Sequence, residues 1–244
     1  IGPATSWNLI GEIKGSGQSD EIIIVTAHYD GHDITPSAID NATGAAVLLE
    51  TARVLQKHRE RLKRNVWILS CSCEQMGLTG SSILVNRYPE LLGKTRLVLN
   101  MDGPGTPGRK GFATQGFTEL IPYLENMSSE LGYAMRITND ISIASDHFPF
   151  ALKGVPAVYM TTESKTGGWG IAAPFGLTRA DTLDKVDPRD IQEAAMVMAR
   201  VVLRVARFPG RRRTEDEVKE ILRSREIDTI MKTTRQWEQF FPKQ

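Results

Sequence analysis

Seven short apolar runs rich in β-branched residues, spread over about 200 residues with helical patterns between them, constrain this chain more than any other feature. Such alternation marks βαβ units and a largely parallel sheet covered on both faces. The runs predict strands over 8–13, 21–27, 65–73, 95–101, 111–115, 135–138 and 156–161. Val47, Leu48, Ala52 and Leu55 recur at helical spacing and predict a helix over 44–58. Helices are also expected over 117–131 and 188–208, the latter opening on Asp187-Pro188, a cap followed by a first-turn proline. The expected class is α/β: a three-layer α/β/α domain with a mixed, mostly parallel central sheet.

The clearest break in composition is Phe208-Pro209-Gly210 followed by three arginines. It divides the chain into a main domain, 1–210, and a helical appendage, 211–244. The arginine run is cancelled at once by Glu215, Asp216, Glu217 and Glu220, so it reads as a solvated helix face. Beyond it Ile221, Leu222, Ile230, Trp237 and Phe241 form an apolar stripe. The stripe suits docking on the body of the domain or on a second copy of the chain, a homo-oligomer through the C-terminal helix.

Thirty basic residues stand against 29 acidic ones, a net charge of +1, so no long-range field argues for nucleic acid. No apolar stretch reaches the roughly 20 residues that cross a bilayer. The longest, 194–206, is interrupted by Arg200 and Arg204, and the chain reads as soluble, with no membrane span. It opens on Ile1 rather than Met, as a processed form would, which leaves a secreted or periplasmic location open. The only cysteines, Cys71 and Cys73, alternate along one predicted strand and read as two small apolar residues on one face.

In open α/β sheets, functional groups gather beyond the carboxyl ends of strands. Here His28 and Asp30 follow the strand 21–27, Glu74 follows 65–73, Asp102 follows 95–101, and Asp40 lies in the loop before the helix 44–58. Each alone is an ordinary turn former or cap. Together they make an oxygen-rich set with one imidazole, which suits Zn²⁺ or a similar divalent ion.

The segments HYDGHDITPSAIDNATG, CEQMGLTGS, LVLNMDG, SDHFPFALKGVPAV and TRADTLDKVD follow one another in an order and spacing that resembles a zinc-dependent peptidase family. That family contains bacterial leucyl aminopeptidases, glutamate carboxypeptidases and glutaminyl cyclases. The resemblance covers about 8–208 and implies roles residue by residue. His28 and Asp102 match ligands of one metal, and Asp40 matches the carboxylate that bridges two. Asp30 matches the acid that orients the histidine. Glu74 matches the general base that takes a proton from water.

Two positions depart from the family pattern. Gln75 stands where a second acidic ligand follows the base, and Leu177 stands where a further histidine ligand precedes Asp181-Thr182. Both losses belong to the same metal, so the resemblance implies one zinc per chain, held by His28, Asp40 and Asp102. Gln75 with its neutral carbonyl, Glu163, His32 and His147 are the candidates for substitute ligands or substrate contacts. The cyclases keep the opposite half of the site, so their reaction does not carry over. The resulting expectation is a metallopeptidase, an aminopeptidase-like hydrolase acting on a peptide or small amide, with a non-catalytic binding protein of the same fold as the alternative. Gly167-Gly168-Trp169-Gly170 and Phe175 read either as a rim that stacks on substrate or as a loop that only turns and packs.

Overall fold

The computed structural model of the protein describes residues 2–17, 19–163, 175–205, 208 and 210–242. Seven strands form one sheet: β1 (Leu9–Ile13), β2 (Ile22–His28), β3 (Asn65–Cys71), β4 (Thr95–Asn100), β5 (Arg109–Ala113), β6 (Ile137–Thr138) and β7 (Ala157–Glu163). Their order across the sheet is β1-β3-β2-β4-β7-β5-β6. Four of the six pairings are parallel, and the antiparallel ones are β1 with β3 and β5 with β7. Every residue of β2 is buried, as an unbroken apolar run with helices on both sides requires.

Helices α1 (Gly44–Lys57), α2 (Thr79–Arg87), α3 (Pro89–Lys94), α4 (Leu120–Leu131), α5 (His147–Leu152) and α6 (Pro188–Val205) cover the sheet. The long α1 and α6 pack on each other, with α1 lying on β2 and β3. Meanwhile α2 packs on α5, which lies on β4 and β7. The fold is thus a three-layer α/β arrangement with a mixed sheet. None of the described helices is long and apolar enough to cross a membrane.

The C-terminal segment forms three helices rather than one: α7 (Glu215–Ser224), α8 (Ile227–Thr233) and α9 (Gln236–Phe240). Glu226 and Arg235 adopt left-handed φ of 57° and 61°, so the chain turns sharply before α8 and again before α9. Thr214 opens α7 with a reciprocal cap, its side chain accepting from the Glu217 amide while Glu217 accepts from the Thr214 amide. The turns redistribute the apolar stripe. Val218, Leu222, Ile227, Met231, Phe240 and Phe241 are buried and join the main core, whereas Ile230, expected within the stripe, is 49% exposed. Arg213 fastens the start of this segment: its guanidinium lies 3.9 Å from the Phe117 ring centroid, and its amide donates to Gly154 O at 2.8 Å.

This burial predicts that Met231→Ala lowers stability by about 2–5 kcal/mol, whereas Ile230→Ala changes it by no more than about 0.5 kcal/mol. Urea unfolding of the two variants measures the difference.

Candidate metal centre

Parallel pairing positions the site. β2 lies between β3 and β4 with His28 opposite Cys71 and Thr26 opposite Asn100, so the three strands end close together. Tyr29 N donates to Cys71 O at 3.0 Å and Met101 N to Thr26 O at 2.9 Å, carrying the register past the strand ends. The carboxyl ends of the strands therefore deliver their side chains to the same place: His28 from β2, Glu74 and Gln75 from beyond β3, Asp102 from beyond β4.

The turn after β3 departs from the expected strand. β3 ends at Cys71, and Cys73 has a left-handed φ of 53°, so the two cysteines do not share a strand face. The Glu74 carbonyl then accepts from the amides of Gly77 and Leu78, which closes the turn.

Asp40 arrives from an irregular turn, Ala38–Thr43. The Asp181 carboxylate accepts from the amides of Ile39 and Asp40 at 2.7 and 3.1 Å. The side chain of Asn41 accepts from the amides of Gly44 and Gly103 and donates to Met101 O, tying this turn to the one that carries Asp102. A Cβ on Gly44 would lie 2.1 Å from Asn41 Oδ1, which is why α1 opens on glycine.

His28 is fully buried, and its Nε2 faces three carboxylates: Asp40 Oδ1 at 3.2 Å, Asp102 Oδ1 at 3.3 Å and Glu74 Oε2 at 3.8 Å. Its Nδ1 faces Asp30, 3.1 Å from the backbone oxygen and 3.5 Å from Oδ1. The Asp30 carboxylate accepts chiefly from the Glu74 and Gln75 amides, each at 3.1 Å. Asp30 thus holds the imidazole on one side and the Glu74 turn on the other.

The electrostatics are unbalanced. Burial opposes protonation of His28, but hydrogen bonds to Asp102, Asp30 and Asp40 outweigh it and raise its pKa far above the usual value. Burial and then the charge of Asp102 push the Glu74 carboxyl up to about 8. Burial and Asp102 also raise Asp40. One imidazolium cannot balance three buried carboxylates, and a divalent cation can. Donor atoms of His28, Glu74 and Asp102 lie within 4.8 Å of one another, and Asp40 meets them through His28. A nitrogen with hard oxygens, buried and convergent, fits zinc or a similar ion.

The other candidates fall elsewhere. His32 is half-buried, and its Nδ1 lies 3.0 Å from Asp33 Oδ1. Glu163 ends β7, half exposed, with its Oε2 3.9 Å from Arg109 Nε. Buried His147 sits 3.3 Å from Asn100 Nδ2 and 3.2 Å from Ser142 O. Gln75 does face the site, but with its amide nitrogen rather than the expected carbonyl: Nε2 donates to both Asp40 oxygens at 3.1 and 3.2 Å. Leu177 is 47% exposed in a left-handed turn. Phe175 lies under Lys185 Nζ, 5.4 Å from its ring centroid, and the 167–170 loop is outside the described residues.

Three contributors escape a reading of the sequence. Asp181 and Asn41 lie inside the segments that carry the resemblance, but they act through backbone hydrogen bonds that no local pattern announces. Buried Asp146 accepts from Ser81 Oγ at 2.6 Å, and burial pushes its carboxyl up to about 6. Its place inside the SDHFPF segment is the one signal that points to it.

Residues 8–202 match peptidase family M28. The chain belongs to that family. Aminopeptidase YwaD of Bacillus subtilis is 28% identical over 214 residues, covering 81% of this chain and 44% of that protein. Carboxypeptidase Q of Rattus norvegicus is 25% identical over 203 residues, covering 82% and 42%. Among solved structures, a zinc aminopeptidase from Bacillus subtilis superposes with a TM-score of 0.70 at 25% identity, over 80% of this chain and 48% of that one. A glutaminyl cyclase from an Acidobacteriales bacterium shares the fold, with a TM-score of 0.63 at 20% identity, over 81% and 73%. The chain spans less than half the length of these two curated relatives.

Asp181→Ala leaves two buried amides without acceptors, each worth about 1–3 kcal/mol. Chemical denaturation is expected to show a loss in that range or above, with Asp181→Asn less affected.

Burial lowers the pKa of His147 from 6.5 to about 4. The folded state therefore resists a proton that the unfolded chain accepts. Its contribution is fully present above pH 6.5, declines as pH falls toward about 4, and declines no further below that. A His147→Gln variant is expected to show a shallower fall of Tm over that window than the unmodified protein.

Proposed function

We propose that the chain is a metal-dependent hydrolase of the peptidase class that cleaves an amide bond, using one zinc or similar ion held by His28, Asp40 and Asp102. The observation that carries this reading is the convergence of those residues with Glu74 at the carboxyl ends of three neighbouring strands. An ion bound there would polarise the scissile carbonyl and make water a better acid.

The chain's own residues do the rest. Glu74 is the general base: its Oε2 stands at the cluster, 3.8 Å from His28 Nε2, and beside a cation bound among these acids it stays ionised and ready to take a proton. It accepts a proton as water attacks and returns it to the departing amine. Asp30 orients the His28 ring through Nδ1 and fixes the amide of Glu74, so ligand and base keep their relative positions. Tyr29 and Met76, the exposed neighbours of His28 and Gln75 in sequence, would offer apolar surface beside the site for a peptide side chain. Glu74 supports hydrolysis over a purely binding role, because a binding protein needs no base beside its ligands. The names of the relatives, an aminopeptidase and a carboxypeptidase, support peptides as substrates. Gln75 and Leu177, at two family ligand positions, support a single ion.

Glu74→Gln is expected to keep the fold and the bound ion while lowering turnover on peptide substrates by about 10²–10⁴-fold. Parallel measurement of kcat and of zinc content checks this. Unchanged turnover would remove Glu74 as the base.

A further inference from the structure

Gln75 occupies a position that nothing in its own chemistry as a ligand explains. The group within 3.2 Å of both Asp40 oxygens is the NH₂ end of the amide, which donates to the ionised carboxylate. That end has no free lone pair and carries partial positive charge. It cannot bind a cation, and it repels one.

The same residue also reaches Asp30. Its main-chain amide donates to Asp30 Oδ2 at 3.1 Å while its side chain holds Asp40. Asp30 and Asp40 flank His28, one at Nδ1 and the other at Nε2. One residue therefore sets two acids relative to the imidazole between them. Asp40 is fixed further at its backbone by Asp181.

In two-metal hydrolytic sites the ions lie about 3.5–4 Å apart and clamp the groups between them. We infer that Gln75 is a positioning residue that does for Asp40 what a second cation would do: its amide N–H groups hold both carboxylate oxygens and close that side to metal. Asp40 is then aligned toward His28 before any ion arrives, and the site takes one ion. This inference rests on the proposed metal site and adds to it a reason for the stoichiometry and a residue that tunes affinity.

The test uses the full chain and zinc alone, titrated in competition with a chromogenic chelator, for the unmodified protein and for Gln75→Met, Gln75→Glu and His28→Ala. The unmodified protein is expected to bind one zinc per chain. Gln75→Met keeps the side-chain length but loses the donors, so it should still bind one zinc, about 10–100-fold more weakly, as for loss of other groups that orient metal ligands. Losing a donor to a buried carboxylate should lower its ion-free Tm, so affinity is read well below that Tm, where a merely structural loss leaves zinc binding by the folded variant unchanged. Gln75→Glu faces one carboxylate with another, so zinc should raise its Tm by more than it raises that of the unmodified protein.

Equal zinc affinity in the unmodified protein and Gln75→Met overturns the inference and leaves the metal site standing. Two zinc ions in the unmodified protein overturn it as well. Should Gln75→Met not fold, Gln75→Glu decides, and a zinc-induced rise in Tm no larger than that of the unmodified protein overturns the inference. Zinc binding unchanged in His28→Ala overturns the metal site itself, and the inference with it.

Discussion

The pairing of β2 with two parallel neighbours is the constraint on which the rest of the molecule depends. The run Ile22-Ile23-Ile24-Val25 is apolar on both faces, so it is stable only in the interior of a sheet covered on both sides. Once there, its register with β3 and β4 decides where His28, Glu74 and Asp102 meet. A slip of one residue would turn the imidazole to the opposite face of the sheet. Core and site are consequences of the same hydrogen-bond ladder.

Gathering so many acids in a water-poor corner works against folding, since each buried carboxylate loses hydration. The molecule offsets this with directed donors. Asp30 takes two main-chain amides, Asp181 takes two more, and Asp40 takes the amide of Gln75. Asn41 ties the two acid-bearing turns to each other. The side chains at the centre are therefore held by partners that have few other arrangements open to them, which is what a site needs if its geometry is to precede its ligand.

Much of the fold was legible because long periodic segments announce themselves. All seven strands and the helices α1, α4 and α6 fall where their apolar spacing predicts, with shifts at the ends. The unpredicted α2, α3 and α5 have 9, 6 and 6 residues, too short for a periodicity to develop. Their stability comes from packing on the sheet, which no local window contains. At the site, His28, Asp30, Asp40, Glu74 and Asp102 were legible because strand ends are where such residues collect. The orientation of Gln75 was not, because sequence fixes which residue is present and not which end of an amide faces its neighbour. Asp181 was legible as part of TRADTLDKVD but its role was not, because the amides it holds are 142 and 141 residues away.

That separation also sets a schedule. Closing a loop of such length is easier once the intervening strands have paired and shortened the distance its ends must search. During synthesis from the N-terminus, His28, Asp40, Glu74 and Asp102 all emerge long before residue 181. The turn that presents Asp40 lacks its anchor until residue 181 has been made. A nascent or partly folded chain thus carries the acidic residues without the geometry. The full geometry of this site therefore requires a chain made at least as far as residue 181.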